Sequence, residues 1–242
     1  MPTFRHGKNT TVLSDDFDLT TYLNSATAAY SVDVPETTTF GSSDRSYIVG
    51  HNEGTLSFEG LFDGTTDSAD SIFHAALGNT TDKVITVSND STAIGGRAIL
   101  AAAASTSYEI SSPLTDVVSV SAEAIADGGL DSGLWLVCQT SVSTTTNTSS
   151  VDNAASSANG GVAHMHVTAN ARTATTVIAV QHSADNSTWA DLVVFGTVAL
   201  SGKDSERVEV ASGTTVNRYL RTRTTIATGT GAITRSVAFS RR

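Results

Sequence analysis

At 242 residues, the chain is long enough for one large domain or for two of about 100–150 residues each. Only 3 prolines and 16% charged residues exclude a polyproline linker and a highly charged disordered tail, while 39% hydrophobic residues suffice for a core. The net charge of −10 is unevenly spread: residues 1–140 hold 18 acidic and 5 basic side chains, whereas residues 141–242 hold 6 and 9. The first half therefore repels DNA phosphates and does not read as a nucleic-acid-binding surface.

Residues 1–18 are polar with a few apolar side chains (Phe4, Val12, Leu13, Phe17), which suits an arm or a peripheral strand. Residues 19–30 fit a short helix or an irregular turn equally well. Residues 33–51 form a long polar arm containing Pro35, Phe40 and Gly41 and ending in a short extended piece at 47–49. A strand follows at 55–63, with Leu56, Phe58 and Phe62 on one face and Thr55, Ser57, Glu59 and Asp63 on the other. One helix is predicted at 68–77. Asp67 reads as its N-cap, Ala69, Ile72, Phe73, Ala76 and Leu77 as its apolar stripe, and Gly78 as the left-handed residue that ends it.

Beyond the helix, strands are predicted at 83–88, 97–104, 105–110 and 116–126, and Asp127-Gly128-Gly129 reads as a turn. Residues 133–139 close a first domain. Residues 141–161, rich in Ser, Thr, Asn, Ala and Gly without hydrophobic period, read as an interdomain linker or long surface loop. From 162 onward the pattern is purely β, with strands at 162–168, 175–182, 189–195, 207–210, 217–225 and 233–239 and polar turns between. Such spacing fits a small antiparallel sandwich. The expected organisation is thus 1–140, a linker at 141–161, and a second domain at 162–242.

The polar arm, the strand and the single helix within an otherwise β-patterned chain resemble the major tail protein, or tail tube subunit, of long-tailed bacteriophages. The stretches VQHSADNSTWADLVVF (180–195) and RVEVASGTTVNRYLRTRTT (207–225) are similar to sandwich domains appended to tail and other virion proteins of actinobacterial phages. The resemblance implies a mostly β protein: a tail-tube-like sandwich or barrel with one flanking α-helix, plus a second, outer antiparallel β-sandwich. It also implies a self-assembling part rather than an enzyme, forming stacked, hexameric rings that make the hollow tube through which phage DNA passes without specific binding. Its partners would be further copies of itself and other tail proteins. It would reside in the virion tail, be made in the host bacterial cytoplasm, and need neither cofactor nor membrane.

Two surfaces follow from that reading. Glu59, Asp63, Glu109 and Glu123, set among small hydroxyl side chains, become candidates for an acidic lumen lining, against the plainer reading of a solvated sheet face. Pro35, Phe40 and Tyr47 mark an arm that reaches a neighbouring subunit, because a loop this long is rarely idle in a compact domain. A third surface, Tyr219 with Arg221 and Arg223, would contact an anion or glycan outside the virion, Tyr219 or Trp189 offering a stacking plate. The plainer reading there is edge-strand protection or intersubunit ion pairing. Two other functions stay open: a capsid decoration protein, and a carbohydrate-binding or adhesin module built on the second domain.

Catalytic patterns are weak. His164 and His166 could together reach one metal ion, with His182 a distant third ligand, but solvent-facing strand histidines are the plainer expectation. His182, Ser183 and Asp185 contain the letters of a triad inside a hairpin turn, without a nucleophile elbow. Gly95-Gly96 and Gly128-Gly129 lack phosphate-loop spacing, and the Asp15–Asp16–Asp18 cluster lacks the glycine and closing glutamate of a calcium loop. The single cysteine, Cys138, excludes an intramolecular disulfide and follows an apolar run, so it reads as a buried thiol. No basic segment leads into an apolar one at the N-terminus and no run approaches the roughly 18 apolar residues of a membrane span, which predicts a cytosolic, soluble product. The five Asn-X-Ser/Thr sequons then read as by-products of polar turns.

Overall fold

The computed structural model describes residues 4–242; the part of the N-terminal reading that covers residues 1–3 lies outside them. The described residues are mostly β, with a 3-10 turn at Gly7–Asn9 and one α-helix, α1 (Ala69–Ala76). The first strands are β1 (Thr11–Ser14), β2 (Phe17–Asp18), β3 (Leu23–Val32), β4 (Asn52–Leu61), β5 (Lys83–Ser88), β6 (Arg97–Ser111) and β7 (Ser119–Val142). There follow β8 (Thr146–Asn147), β9 (Val151–Asp152), β10 (Gly161–Asn170) and β11 (Thr176–Ser183). The last are β12 (Ala190–Val194), β13 (Asp204–Val210), β14 (Tyr219–Ile226) and β15 (Ile233–Arg241). Every strand pair with a recorded register is antiparallel.

Several local expectations change. The ambiguous stretch 19–30 is largely β3, held as a strand by ladder bonds to β4 and not by any strong pattern of its own. The two strands expected at 97–110 are one continuous β6. Asp127-Gly128-Gly129 does not reverse the chain. Gly128 and Gly129 are left-handed (φ +76° and +85°) inside the 24-residue β7, where they break the pleat and let the strand run on. The helix begins one residue later than expected: Ser68 is its N-cap, accepting from the Ser71 amide, while Asp67 sits at φ +63°. Gly78 is left-handed (φ +76°), as its place after the helix requires.

The chain divides into two compact units by bounds other than those read from the sequence. Unit 1 comprises Met1–Thr21, Lys83–Leu100 and Asp131–Arg242; unit 2 comprises Tyr22–Asp82 and Ala101–Leu130. Residues 141–161 are not a free linker. Val142 pairs with Ile233, Thr146 and Asn147 pair with Thr224 and Arg223, and buried Val151 pairs with Leu220. Short side chains there hid pairing that depends on strands some 70–90 residues away.

Unit 1 is a sandwich. One layer contains β13-β10-β15-β7 in that order, and the other is β12-β11-β14-β8 with β9 also on β14. The core includes Leu136, Met165, Ile178, Val180, Phe195, Leu220, Val237 and Phe239. A second cluster of Leu13, Ala98, Leu100, Trp135, Cys138 and Ala238 also lies in this unit. Strands from the N-terminal part of the chain therefore complete a sandwich that the periodicity assigned to residues after 162.

Unit 2 is a four-stranded sheet in the order β3-β4-β7-β6, carrying α1. Leu56 and Phe58 of β4 and Val120, Ala122 and Ala124 of β7 are buried on one face. Phe73 of α1 stacks on Phe58 with ring centres 5.5 Å apart. Ala69 and Ala76 complete the helix's buried side, whereas Leu77, expected in its apolar stripe, is exposed. Phe62 is also exposed, because it lies just beyond the end of β4.

Candidate assembly interface

The alternation of β4 and β7 decides the chemistry of the other face of unit 2. Small hydroxyl and carboxylate side chains occupy every second position, and the antiparallel register brings them into rows. Ser25, Glu59 and Ser121 are opposite one another, as are Thr27, Ser57 and Glu123. On β6, Thr106 Oγ1 donates to the Glu123 carbonyl at 3.2 Å and Ser107 Oγ to its carboxylate at 3.4 Å. Glu59 and Glu109 share an open depression of about 270 Å³ with Asn24, Ser111, Ser119 and Ser121. The sheet thus gathers Glu59, Glu109 and Glu123 onto one exposed face. It does not gather Asp63, which lies two residues past β4 and accepts from the Thr65 amide at 2.9 Å.

Charge follows the units more sharply than it follows the halves of the sequence. Unit 2 holds 13 acidic side chains and one basic one, Arg45, a net −12; unit 1 holds 11 and 13, a net +2, together giving the −10 of the chain. Behind the sheet, the Tyr108 hydroxyl donates to Asp70 of α1, and burial with this bond raises the phenol pKa.

The arm is an extension of the β3–β4 hairpin. Beyond the strand ends, Asp33 and His51, Asp33 and Gly50, Pro35 and Ile48, and Thr37 and Ser46 remain joined by backbone hydrogen bonds of 2.7–3.1 Å. Phe40 stands fully exposed at the tip, and Tyr47, Ile48 and Val49 are exposed along one limb. Residues 33–41 at about 3.3 Å each let the arm reach up to about 30 Å. The extended piece expected at 47–49 is thus one limb of the hairpin, and the exposed apolar side chains of Val34, Ile48 and Val49 are a signal that a purely polar arm does not account for.

Both edges of the unit 2 sheet are open. Among the described residues β3 pairs only with β4. On the far side of β6 lies β5, and Ser88 Oγ donating to the Arg97 carbonyl at 2.8 Å places the end of β5 at the start of β6. Six residues of β5 against fifteen of β6 leave the segment 105–111 without a strand neighbour on that side among the described residues. Unpaired edges of this length invite another chain.

The third predicted surface is on unit 1. Tyr219, Arg221 and Arg223 alternate with buried Leu220, Thr222 and Thr224, so they share the outer face of β14. Arg221 donates to Gln181 Oε1 at 2.9 Å and lies 4.0 Å from the Trp189 ring centre, while Gln181 donates to Asp191 at 2.7 Å. Arg218 makes a two-point bond to Asp152 at 2.6 and 2.7 Å and stacks on Tyr219. Each aromatic plate is therefore already engaged by a cation of its own chain.

The histidines are not solvent-facing. His164 and His166 are fully buried on β10, both bonded to Thr86 Oγ1, at 3.0 and 2.8 Å. β10 is a middle strand with both faces covered, a context that two-residue spacing alone does not disclose. Among the described residues no three His, Cys, Asp or Glu side chains are grouped to hold a metal ion. In the turn after β11, Ser183 Oγ donates to Asp185 at 2.9 Å, while His182 Nδ1 accepts from the Asn217 amide. Asp185 also takes the Ser187 and Thr188 amides, which holds its carboxyl well below the usual range; it shapes the hairpin. Cys138 is buried and its thiol is pushed up to about 11, chiefly by burial.

No protein-family model and no curated protein matches the chain. Among solved structures it is similar to a chain of the virion of a native gene transfer agent particle, at 15% identity and TM-score 0.40, over 52% of this chain and 97% of that one. It is similar to a chain of the tail of an empty gene transfer agent particle with C6 symmetry, at 18% identity and TM-score 0.40, over the same shares. It is also similar to the SPP1 Dit protein (gp 19.1), a hub of the adsorption apparatus in phages that infect Gram-positive bacteria, at 15% identity and TM-score 0.36, over 96% and 98%. The first two structures are of gene transfer agent particles and the third is a crystal structure of the hub protein itself; likeness at this level assigns neither function nor assembly.

Proposed function

We propose that the chain is the major tail protein of a long-tailed bacteriophage, polymerising as stacked hexameric rings into the hollow tail tube. The observation that carries this reading is unit 2: a four-stranded sheet with two open edges, a helix and apolar core on one side, and a carboxylate–hydroxyl face on the other. Joining β3 of one copy to β6 of the next would satisfy both edges at once. Six copies would close about 24 strands into a barrel, well beyond the roughly sixteen at which an aqueous channel opens. At about 4.8 Å between strands and a tilt near 40°, its backbone circle is about 45–50 Å across.

Turned inward, Glu59, Glu109 and Glu123 would line the channel. DNA binds proteins largely by exchanging condensed counterions for Lys and Arg, and an acidic wall offers no such exchange, so the duplex slides without sticking. Asp63 contributes at the rim. Phe40 and Tyr47 on the arm, with Pro35 near its base, would engage a neighbouring copy. On the outer face of β14, Arg221 and Arg223 would pair with acidic neighbours. Other tail proteins would meet the tube at its ends.

Negative-stain electron microscopy of the purified protein over a concentration series tests this. Hollow rods of constant width built from stacked rings are expected. Rings that never stack would replace the tube by a single-ring hub, and trimers or monomers at every concentration would favour a decoration or glycan-binding role.

A further inference from the structure

The end of the unit 2 sheet opposite the arm carries a second exposed apolar group. Leu114 and Val117 lie in the β6–β7 turn, fully and 61% exposed, with Ile110 at the end of β6 and Phe62 just past β4 also exposed. The Phe62 amide donates to the Val118 carbonyl at 3.0 Å, which ties the end of β4 to this turn. Four large apolar side chains at one end of one sheet exceed the scattered singles that a monomer surface normally shows. Polar turns have no need of them.

We propose that this turn is the docking site for the arm tip of a second copy of the same chain. The inference rests on the tube reading and specifies its ring-to-ring contact. Within one copy the two surfaces cannot meet: the arm leaves from the Asn52 end of β4 and the turn lies at the Leu61 end, ten residues or about 33 Å away. A contact between different patches on opposite ends is heterologous and does not close, so copies joined by it stack indefinitely. Charge supports the same pairing. Arg45, the sole cation of unit 2, lies on the arm with its side chain 74% exposed and only 3.8 Å from Glu36 at closest. Asp116 and Asp63 flank the apolar turn. Phe40, Ile48 and Val49 would cover Leu114 and Val117 while Arg45 meets these carboxylates.

The experiment mixes two full-length variants, Phe40→Cys untagged and Leu114→Cys carrying an affinity tag, and treats them with a short bismaleimide. Native Cys138 is buried, so the introduced thiols dominate the reaction. The expected product is the mixed dimer, and a chain carrying both substitutions gives a ladder of higher oligomers. A mixture that yields only same-variant dimers, or no cross-link, overturns the contact. A third variant, Leu114→Glu/Val117→Glu, is expected to form single rings without rods. Wild-type rods with no Phe40–Leu114 cross-link would overturn this inference and leave the tube standing; absence of any ring from the wild type would overturn both.

Discussion

Acidification from pH 7 to pH 5 is expected to destabilise the subunit through the buried histidines of β10. His166 Nδ1 lies 2.6 Å from the Asp15 carbonyl, which only accepts, so Nδ1 carries the proton and Nε2 is bare. Nε2 then accepts from the Thr86 hydroxyl, and the Thr86 oxygen accepts from His164 Nδ1. Among the described residues the His164 Nε2 atom has no hydrogen-bond partner. Protonating either ring places a charge in the interior. Burial, opposed by the Asp15 carbonyl and carboxylate, pulls His166 down to about 4, and burial with His166 and Arg207 nearby pulls His164 lower as well. The unfolded chain takes up protons near pH 6.5 while the native chain does not, so stability is complete above that value and declines as pH falls toward 4. For His166 the full gap corresponds to about 3 kcal/mol, of which about 2 kcal/mol is lost by pH 5. His164 adds to it in the same direction. Urea unfolding of the dilute subunit, followed by fluorescence of buried Trp135, measures this directly, and His166→Gln should flatten the slope. An unfolding free energy that is equal at pH 7 and pH 5, or a His166→Gln variant with the wild-type slope, would refute the reasoning.

Four further outcomes are expected. Arg172, buried, donates to the carbonyls of Ser143, Ala227, Gly229 and Gly231, so Arg172→Met should cost about 3 kcal/mol in the same unfolding assay. Cys138 should react with a thiol reagent only as fast as the protein unfolds, since its thiol is buried and poorly ionised at neutral pH. Glu59→Lys/Glu109→Lys/Glu123→Lys should still polymerise but retain DNA in its rods at low salt, releasing it as salt rises; co-sedimentation with DNA measures this. Deleting residues 37–46 should leave circular dichroism and thermal unfolding close to wild type while abolishing rods in electron micrographs.

Much of the local structure was legible because it rests on local physics. β5 carries the bounds read from its run of Val and Ile, and α1 the compact helix signalled by Ile72, Phe73 and Ala76 with Gly78 beyond. The common face of Glu59 and its neighbouring hydroxyls follows from a period of two, which belongs to the strand itself. The same period placed Tyr219, Arg221 and Arg223 together.

What tertiary structure alone decided is pairing over long distances. Nothing local in 141–161 says that Asn147 meets Arg223 or Val151 meets Leu220, and nothing in His164 or His166 says that β13 and β15 flank β10 on both sides. Gly128-Gly129 has the composition of a turn, yet the chain runs straight through because partner strands hold both sides of the break. The units are likewise set by ladders between segments far apart in the chain, so composition placed the boundary at 140 while contacts placed it at 21, 82, 100 and 130. Periodicity reports which face of a strand is apolar. Only the assembled sheet says which strand lies beside it, whether both faces are covered, and which edges stay open.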